Sequence, residues 1–532
     1  MRNVVKKIHI MGFKKFTDYT VDFDPRMNIL IGENESGKST IIDALRLVFA
    51  QEYRNADKAY VYDLFNRAAV ENFKHEKRPE ALPKIKITVV LELDPSGANA
   101  QDFYGEVHEF GHESLYGITF SCEIDEESLP LLGAEIEAGV LPVEYYELKW
   151  KTFAGHPYVL GHKPLNFLAV DTSECRGVGA INYFTRDLFS SSYETSVRMK
   201  ARNDFRGNVR EAFSKLGLKD LDGGRRFALN DKKMPLENLL SVEESDGVLL
   251  ENRGRGCENL IKTKVAFSKA SASLDVVTLE EPENHLSYTT MRRMIEEIKA
   301  RPDQCQLIMA THSNMIVNCL GVRNVLLMTQ GADNGSCARQ LSEIGEDTER
   351  FFVKADNSRM LDFMLAKRIV LVEGPTEYML VPKFVQEISE RSCEEHEVSV
   401  IACDGLSYKR FLIIAEACGK RVAVITDNDG NETKVAKAKK YNAEHELQHV
   451  FMPSDKDEWT WEVCIYNKNK ALLDSRFPPK EGAEYKFNGK TYHSTLGRML
   501  CNKAQIAYEM LVGKDVYAPP EYVKEAIEWV LK

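Results

Sequence analysis

The stretch RMNILIGENESGKSTIIDAL (26–45) constrains the fold more than any other part of the sequence. An apolar run with strand character ends at Gly32, and an apolar-periodic helix pattern follows Lys38. A strand, a glycine-containing loop and a helix in this order form a cradle for triphosphates, because backbone N–H groups and the helix N-terminus face the phosphates. An ordinary tight turn is the weaker alternative. We therefore expect nucleotide binding by Gly32, Asn34, Gly37, Lys38, Ser39 and Thr40.

Within this cradle, Lys38 would reach the β- and γ-phosphates of ATP, and the Ser39 hydroxyl would ligate Mg²⁺. The chain has 532 residues, which is too long for one core and predicts two to four domains. No apolar run approaches the roughly 18 residues of a membrane span, and no signal-peptide pattern opens the sequence. We therefore expect a cytoplasmic protein without a membrane partner.

Charge and cysteine content narrow the function classes. The net charge of −11 argues against a protein that coats nucleic acid, although a nuclease can carry a local basic groove beside an acidic metal site. The 11 cysteines include no CxxC pair, which predicts reduced thiols and no zinc site.

Strand patterns dominate the N-terminal part of the chain. Residues 4–31 are predicted to form two strands joined by a polar turn, then the strand MNILIG, and further strands are predicted at 84–93, 116–124 and 144–153. A helical pattern covers 193–216 and places arginines at spacings of four. This stripe is either a solvated face paired with Glu194 and Glu211 or a DNA-binding surface, and it consists of Arg198, Arg202, Arg206 and Arg210.

Two later apolar strands end in polar residues. LDVVTLEEPENHL (274–286) leads to Glu280 and Glu281, and QLIMATHSN (306–314) leads to His312. A glycine-containing loop at 253–256 runs into a helix before them. This order of motifs resembles the ABC-type ATPases, including the heads of SMC proteins. The resemblance implies that Glu280 holds Mg²⁺ through water, Glu281 is the general base, 282–286 is the D-loop and His312 senses the γ-phosphate.

The sequence departs from the ABC pattern in two places. The signature loop has Arg253, Gly254, Arg255 and Gly256 in place of Ser-Gly-Gly, and no convincing Q-loop is found. No heptad pattern is sustained, so a long-armed SMC protein is not expected. The resemblance implies at least a dimer, because ABC-type sites are completed across subunits. MTQGADNGSC (328–337) is predicted to be a turn-rich linker.

A second pattern begins at residue 366. The segments 367–388, 398–405 and 420–432 read as strand–helix–strand units of a parallel sheet, with acids where the strands end. Ligands bind at this edge of such sheets. Converging carboxylates need a cation between them, and oxygen-only ligands favour Mg²⁺ or Mn²⁺. The predicted ligands are Glu373, Glu377, Asp404, Asp427 and Asp429.

The EGxxE and DxD motifs resemble the TOPRIM domain, and an ABC-type ATPase followed by TOPRIM resembles the OLD (overcoming lysogenization defect) nucleases. Members of this family include Gabija-type and retron-associated phage-defence effectors. The resemblance implies two-metal DNA cleavage, with Glu373 and Asp427 at its centre. It also implies a further metal ligand, Glu462, and a lysine, Lys503, that offsets phosphorane charge.

The expected fold class is α/β. We expect an ABC-type ATPase head with a mixed sheet over 1–355, in which 95–245 interrupts the motifs and could serve dimerisation. A Rossmann-like TOPRIM domain with a parallel sheet is expected over 366–532. A topoisomerase or a primase is disfavoured. A topoisomerase needs a further DNA-gate domain and primases of this type usually carry a zinc ribbon, and the chain is too short to add either to the two expected domains.

The functional hypothesis is an ATP-gated, metal-dependent DNA endonuclease of a phage-defence system. The alternative is an SMC-like repair ATPase whose TOPRIM domain binds nucleic acid without cutting. Besides DNA, the family resemblance suggests a helicase-like protein or a retron reverse transcriptase with its single-stranded DNA as partners.

Overall fold

The computed structural model describes residues 2–54, 57–97, 99–171, 183–216, 230, 235–243, 245–266, 274–300, 305–330, 336–354, 359–404 and 407–532. The chain divides into two compact units. The first comprises Met1–Leu320 with Asn324–Gln340, and the second comprises Gly321–Arg323 with Leu341–Lys532.

The first unit contains an antiparallel sheet and a mixed sheet. Its strands are β1 (Val4–Phe13), β2 (Phe16–Asp22), β3 (Met27–Gly32), β4 (Ile85–Glu92), β5 (Tyr104–Gly105), β6 (Leu115–Ile124), β7 (Tyr146–Thr152), β8 (Phe167–Asp171), β9 (Val276–Glu280), β10 (Gln306–Ala310), β11 (Val325–Gln330) and β12 (Ser336–Gln340). The antiparallel sheet has the order β2-β1-β4-β6-β5, and β7 also pairs with β6. In β1, alternation buries Ile8 and Ile10, as the sequence pattern predicts.

The mixed sheet carries the nucleotide motifs. Its order is β12-β11-β3-β10-β9-β8, and every pair is parallel except β11 with β12. The predicted linker at 328–337 is wrong at both ends, because Met328 lies in β11 and Ser336 begins β12. The apolar run VLLM (325–328) is buried, and this burial favours a strand over a linker.

Eight α-helices are described in the first unit, together with several short 3-10 segments. The α-helices are α1 (Lys38–Ala50), α2 (Arg67–Glu76), α3 (Gly133–Ala138), α4 (Tyr183–Ser192), α5 (Thr195–Ser214), α6 (Arg255–Ala266), α7 (Tyr288–Lys299) and α8 (Asn314–Leu320). Helix α1 buries Ile41, Leu45 and Val48 in the core beside β1 and β4. This packing anchors the loop that precedes α1.

The second unit is built on the parallel sheet β14-β13-β15-β16. Its strands are β13 (Arg368–Val372), β14 (Val398–Ala402), β15 (Arg421–Ile425), β16 (Gln448–Phe451), β17 (Tyr485–Phe487) and β18 (Lys490–Tyr492). Its helices are α9 (Glu346–Lys354), α10 (Met360–Leu365), α11 (Pro375–Ser389), α12 (Tyr408–Cys418), α13 (Glu432–Glu444), α14 (Trp461–Lys468), α15 (Lys470–Arg476), α16 (Thr495–Cys501), α17 (Lys503–Val512) and α18 (Glu521–Leu531).

The predicted fold class is confirmed: an α/β unit with a mixed sheet is followed by a unit with a parallel sheet. Buried Val372 and Ile425 pack with Phe384 and Val523 in the core of the second unit. Consecutive parallel strands are joined by helices, so all carboxyl ends of β13–β16 lie at one edge. Among the described residues, no helix is both long and apolar enough to cross a membrane.

Candidate functional site

The phosphate loop lies between β3 and α1 and needs glycine. Gly37 has φ +101°, and a Cβ there would lie 2.3 Å from the Phe16 ring, so any larger residue would be strained and would collide. The Lys38 ammonium folds back onto the loop and donates to the carbonyl oxygens of Gly32 (2.9 Å) and Glu33 (3.0 Å). Burial lowers the pKa of Lys38, whereas the charges of Glu281 and Glu280 act to raise it.

A cleft of about 1020 Å³ opens beside this loop. Asn34, Gly37, Lys38, Ser39 and Thr40 line it, together with Glu281 and His312. Strand β10 pairs in parallel with both β3 and β9, so Gly32, Glu280 and Ala310 end at the same sheet edge. The structure thus brings seven of the predicted nucleotide residues to one cleft, with Gly32 and Glu280 at neighbouring strand ends, although their roles there stay predictions.

Glu281 and His312 face each other in this cleft. Glu281 Oε1 lies 3.8 Å from His312 Nε2, and Glu281 Oε2 accepts a hydrogen bond from Asn284 Nδ2 (2.8 Å). Burial and the Lys38 charge lower the pKa of His312, against opposing contributions from Glu281 and Glu283. The imidazole is therefore mainly neutral near neutral pH and can accept or donate one hydrogen bond.

Glu283 is a residue that the sequence reasoning missed. Its Oε1 accepts from the Thr311 hydroxyl (2.7 Å) and from the His312 N–H (2.8 Å). These bonds connect the turn after β9 to the end of β10, so Glu283 positions His312. Its place in the predicted D-loop gave no indication of this interaction.

The glycine-containing loop before α6 packs against the residues after β9. A Cβ at Gly256 would lie 2.2 Å from the His285 carbonyl oxygen, and Asn259 Nδ2 donates to the Asn284 carbonyl (3.0 Å). Glycine at 256 is therefore required by close backbone approach.

The arginine stripe lies on α5, as predicted. Arg202, Arg206 and Arg210 are exposed and Arg198 is half-buried. Arg202 pairs with Glu237, a partner that the sequence did not suggest. Against the described part of the chain, α5 buries none of its residues. Three of the four arginines thus face solvent in the described part of the chain, and the DNA-binding role of the stripe stays a prediction.

The second centre lies at the carboxyl ends of β13 and β15. Glu373 follows β13, and its Oε2 accepts from the Thr426 hydroxyl (3.0 Å) and the Asp427 N–H (3.3 Å). Glu377 lies in the first turn of α11, and its Oε2 accepts from the Gly374 N–H (3.2 Å). Parallel pairing of the two strands therefore brings the EGxxE and DxD motifs together.

Thr460 joins two of the predicted acids and was missed in the sequence. Its hydroxyl lies 2.7 Å from Asp427 Oδ2 and 2.9 Å from Glu462 Oε2. The Trp461 N–H donates to Asp427 Oδ1 (2.8 Å), and Lys503 Nζ donates to Glu462 Oε2 (2.8 Å). Glu462 and Lys503 thus lie beside Asp427, and their roles as metal ligand and charge-stabilising lysine stay predictions. An isolated threonine carries no sequence pattern that marks such a bridge.

The second centre concentrates negative charge in a buried place. Burial, together with the charges of Asp427, Glu462 and Glu373, raises the pKa of Glu377 to about 7. Burial likewise raises the pKa of Asp427 to about 7, although its bond from Thr460 opposes the shift. Carboxylate oxygens are the ligand type that Mg²⁺ and Mn²⁺ prefer, and Lys503 is the cation that lies near these acids.

Asp404 and Asp429 lie at the rim of this centre. Asp404 is exposed, and its charge joins those of Glu373 and Glu377 in raising the pKa of Cys403, for which burial is the main cause. Asp429 is paired with Lys434. Asn428, between the two aspartates, points away and donates to the Pro453 carbonyl (3.0 Å).

Within the described ranges, no three His, Cys, Asp or Glu side chains are arranged as one metal-holding group. The acids instead accept hydrogen bonds from Thr426, Thr460 and Lys503. The complete predicted ligand set is therefore not assembled around a single point, and the individual metal ligands stay predictions.

Comparison with known families agrees with both units. Residues 364–429 match the family model "Overcoming lysogenization defect protein-like, TOPRIM domain", and residues 7–104 match an AAA domain model. The chain is 40% identical over 53 residues to structural maintenance of chromosomes protein 3 of Saccharomyces cerevisiae, which is 10% of this chain and 4% of that protein. It is 32% identical over 89 residues to the chromosome partition protein Smc of Halothermothrix orenii, which is 16% and 7% of the two chains.

Among solved structures, the chain is similar to an SMC head bound to the C-winged helix domain of ScpA. That match covers 64% of this chain and 99% of the other at 16% identity, with a TM-score of 0.35. The SMC head domain from Thermotoga maritima gives a TM-score of 0.31 at 17% identity, over 64% and 99% of the two chains. TM-scores this low do not support a structural argument, so the fold description rests on the strand order alone.

The two family matches fall on the two units, with the AAA match over the phosphate loop and the TOPRIM match over the EGxxE and DxD motifs. The chain therefore combines a region similar to AAA ATPase domains with a TOPRIM domain similar to that of OLD (overcoming lysogenization defect) proteins.

Proposed function

We propose that this protein is an ATP-binding and ATP-hydrolysing, metal-dependent DNA endonuclease. The first unit would hydrolyse ATP, and the TOPRIM unit would hydrolyse a phosphodiester bond. The observation that carries the proposal is the cluster of Glu373, Glu377, Asp427 and Glu462 beside Lys503 at the carboxyl ends of the parallel strands.

The chemistry of this cluster supports hydrolysis more than binding alone. A nucleic-acid phosphate is repelled by bare carboxylates, so an acidic centre favours DNA only with a divalent cation. Glu373, Glu377, Asp427 and Glu462 would hold the ion, with Asp404 and Asp429 as further ligands at the rim. A bound Mg²⁺ or Mn²⁺ supplies activation of water and charge stabilisation for the leaving oxygen.

Lys503 has a different part in the reaction. Its ammonium is partly exposed while Glu462, its partner, is buried, so the cation faces the open side of the cluster. A phosphate that reaches the acids would lie near this charge, and Lys503 would stabilise the extra negative charge of the transition state.

At the ATP site, Glu281 lies near His312 and is proposed as the general base, with His312 contacting the γ-phosphate and Glu280 and Ser39 holding Mg²⁺. Phosphodiester hydrolysis is downhill and needs no ATP. Nucleotide is therefore proposed to gate the nuclease by changing the populations of two arrangements of the ATPase unit. The size of this effect cannot exceed the difference in the affinity of ATP for the two arrangements. A defence role would require silence in a healthy, ATP-rich cell, which favours ATP as the restraint.

The similarity to structural maintenance of chromosomes proteins supports DNA binding and self-association as coarse properties. The matched stretches span only 4% to 8% of those relatives' own lengths, so a dimer, a helicase-like partner and a retron partner stay proposals. The domain limits 1–355 and 366–532 are likewise proposed.

The test is nicking of supercoiled plasmid by the purified chain in four states: without nucleotide, with ATP, with a non-hydrolysable analogue, and as Lys38→Ala with ATP. Each state is measured with Mg²⁺, with Mn²⁺ and with EDTA. Nicking that requires the metal supports the nuclease, and a difference among nucleotide states supports the gate. Equal rates in all four would show that the two sites are uncoupled.

A further inference from the structure

A hairpin in the second unit lies beside the acidic centre without belonging to it. Strands β17 and β18 are joined by Asn488 and Gly489, with φ values of +45° and +75°. An Asn-Gly pair in this conformation is the turn that matches the twist of a two-stranded hairpin. The hairpin, residues 485–492, contains Lys486 and Lys490 and no acidic residue.

Aromatic rings join the hairpin to the acidic centre. The Phe487 ring stacks on the Trp459 ring, with centroids 6.0 Å apart and planes 27° apart. Both side chains are half-buried, whereas Trp461 is 2% exposed and packs in the core. The Trp459 backbone is fixed at the site, because its carbonyl accepts from the Asp429 N–H (3.1 Å).

Positive charge surrounds the same rings. Lys503 Nζ lies 5.5 Å from the centre of the Phe487 ring while it pairs with Glu462. Lys490 is the cross-strand partner of Phe487, so both side chains stand on one face of the hairpin. Lys486 and Lys490 are both exposed.

We propose that Trp459 and Phe487 form a stacking platform for an unpaired DNA base, with Lys490 and Lys503 near the adjoining phosphates. This inference rests on the proposed nuclease and names its substrate class: a DNA strand with at least one unpaired nucleotide at the cut. Aromatic rings interleaved with lysines bind single strands, because every base offers a π-face and every linkage a charge. Bases inside a duplex cannot reach such rings unless they are flipped out.

The experiment measures binding by fluorescence anisotropy of a labelled oligodeoxynucleotide, offered as a single strand, as a blunt duplex, and as a single strand of abasic residues. Ca²⁺ replaces Mg²⁺ so that binding is observed without cutting. The variants are Trp459→Ala and Phe487→Leu, which remove a ring, and Trp459→Phe and Phe487→Tyr, which keep one. Tyr508→Ala is the matched control, because it removes an aromatic side chain that is 53% exposed elsewhere in the unit.

The platform predicts that wild type binds the single strand more tightly than the duplex. Trp459→Ala and Phe487→Leu should each bind the single strand about tenfold more weakly, an effect typical of one stacked base. Their affinity for the duplex or the abasic strand should change little. Trp459→Phe, Phe487→Tyr and Tyr508→Ala should stay within about threefold of wild type on the single strand.

Equally weakened binding of all three DNAs would overturn the platform, because it would reflect a damaged fold or a phosphate interaction. Unchanged affinity in the ring-removing variants would also overturn it. If either of these two overturning results is found in a protein that nicks plasmid, the platform is wrong and the nuclease proposal stands. If ring-dependent single-strand binding is found in a protein that cuts no DNA with Mg²⁺ or Mn²⁺, the platform stands and the nuclease fails.

Discussion

Lys503 Nζ lies 2.8 Å from Glu462 Oε2, although 41 positions separate the two residues in sequence. The carboxylate is 5% exposed and the lysine is 39% exposed, so one end of the pair is buried and the other faces the open side of the site. Thr460 continues the hydrogen-bonded chain from Glu462 to Asp427. The ion pair with Lys503 offsets the charge of Glu462, which shares the Thr460 hydroxyl with Asp427.

Lys38→Ala should abolish tight ATP binding. Lys38 is the residue whose ammonium lies in the phosphate loop, and its bonds to the carbonyls of Gly32 and Glu33 show that it reaches the loop interior. Isothermal titration with ATP and Mg²⁺ measures the effect. Lys149→Ala, which removes an exposed lysine paired with Glu147, should bind like wild type. Unchanged ATP affinity in Lys38→Ala would refute the assignment of residues 32–40.

Glu281→Gln should retain ATP binding and slow hydrolysis by at least about a hundredfold, since it keeps the phosphates held and removes the base. The measurement is steady-state phosphate release beside ATP affinity. Glu147→Gln, on an exposed strand position, is the control. Turnover near the wild-type rate would mean that Glu280 or another residue is the base.

The two buried acids of the second centre predict a pH effect on stability. Their pKa values are raised to about 7 in the folded chain, so the folded state binds more protons than the unfolded state between about pH 4.5 and 7. Their contribution to stability is therefore present at the acidic end of this window and is lost as pH rises through 7.

Glu377→Gln should remove part of that pH-dependent destabilisation. In EDTA, its melting temperature minus that of wild type should increase from pH 5 to pH 8, and Mg²⁺ or Mn²⁺ should reduce the difference by stabilising wild type. Thermal melts across this pH range measure it, with the exposed Glu394→Gln as control. A melting-temperature difference that stays constant with pH would contradict the proposal that ionised Glu377 destabilises the folded state.

Arg202→Gln together with Arg206→Gln should weaken DNA binding and flatten its salt dependence, by roughly one unit of slope for each phosphate that is no longer neutralised. Arg202 already pairs with Glu237, so Arg206 should account for the larger share. Anisotropy with duplex DNA at several salt concentrations measures the slope. If the slope does not change, α5 is a solvated face.

The sequence was sufficient for the two motif-bearing regions because each motif is local. Strand, loop and helix patterns around Lys38 and Glu373 lie within about twenty residues, where hydrophobic periodicity is informative. Parallel pairing then places Glu280, Ala310 and Gly32 at one edge, which follows from the direction of the strands.

Interactions between distant or pattern-poor residues could not be predicted. The sequence placed Glu283 only in a D-loop. Its hydrogen bonds with Thr311 and His312 depend on the pairing of β9 with β10, which the local sequence does not reveal. Thr460 is an ordinary threonine until the start of α14 brings it to Asp427. The Asn488-Gly489 turn, in contrast, carries a recognisable hairpin pattern between aromatic residues that the sequence reasoning missed.

The central claim is that the acids of the TOPRIM unit, and not the residues of the ATP site, carry out DNA cleavage. The most direct measurement compares wild type with the double variant Glu373→Ala and Asp427→Ala, recording plasmid nicking with Mg²⁺ and ATP hydrolysis in the same preparation. The account predicts that nicking disappears while ATP turnover stays within about twofold of wild type. A double variant that still nicks supercoiled plasmid at the wild-type rate would contradict it.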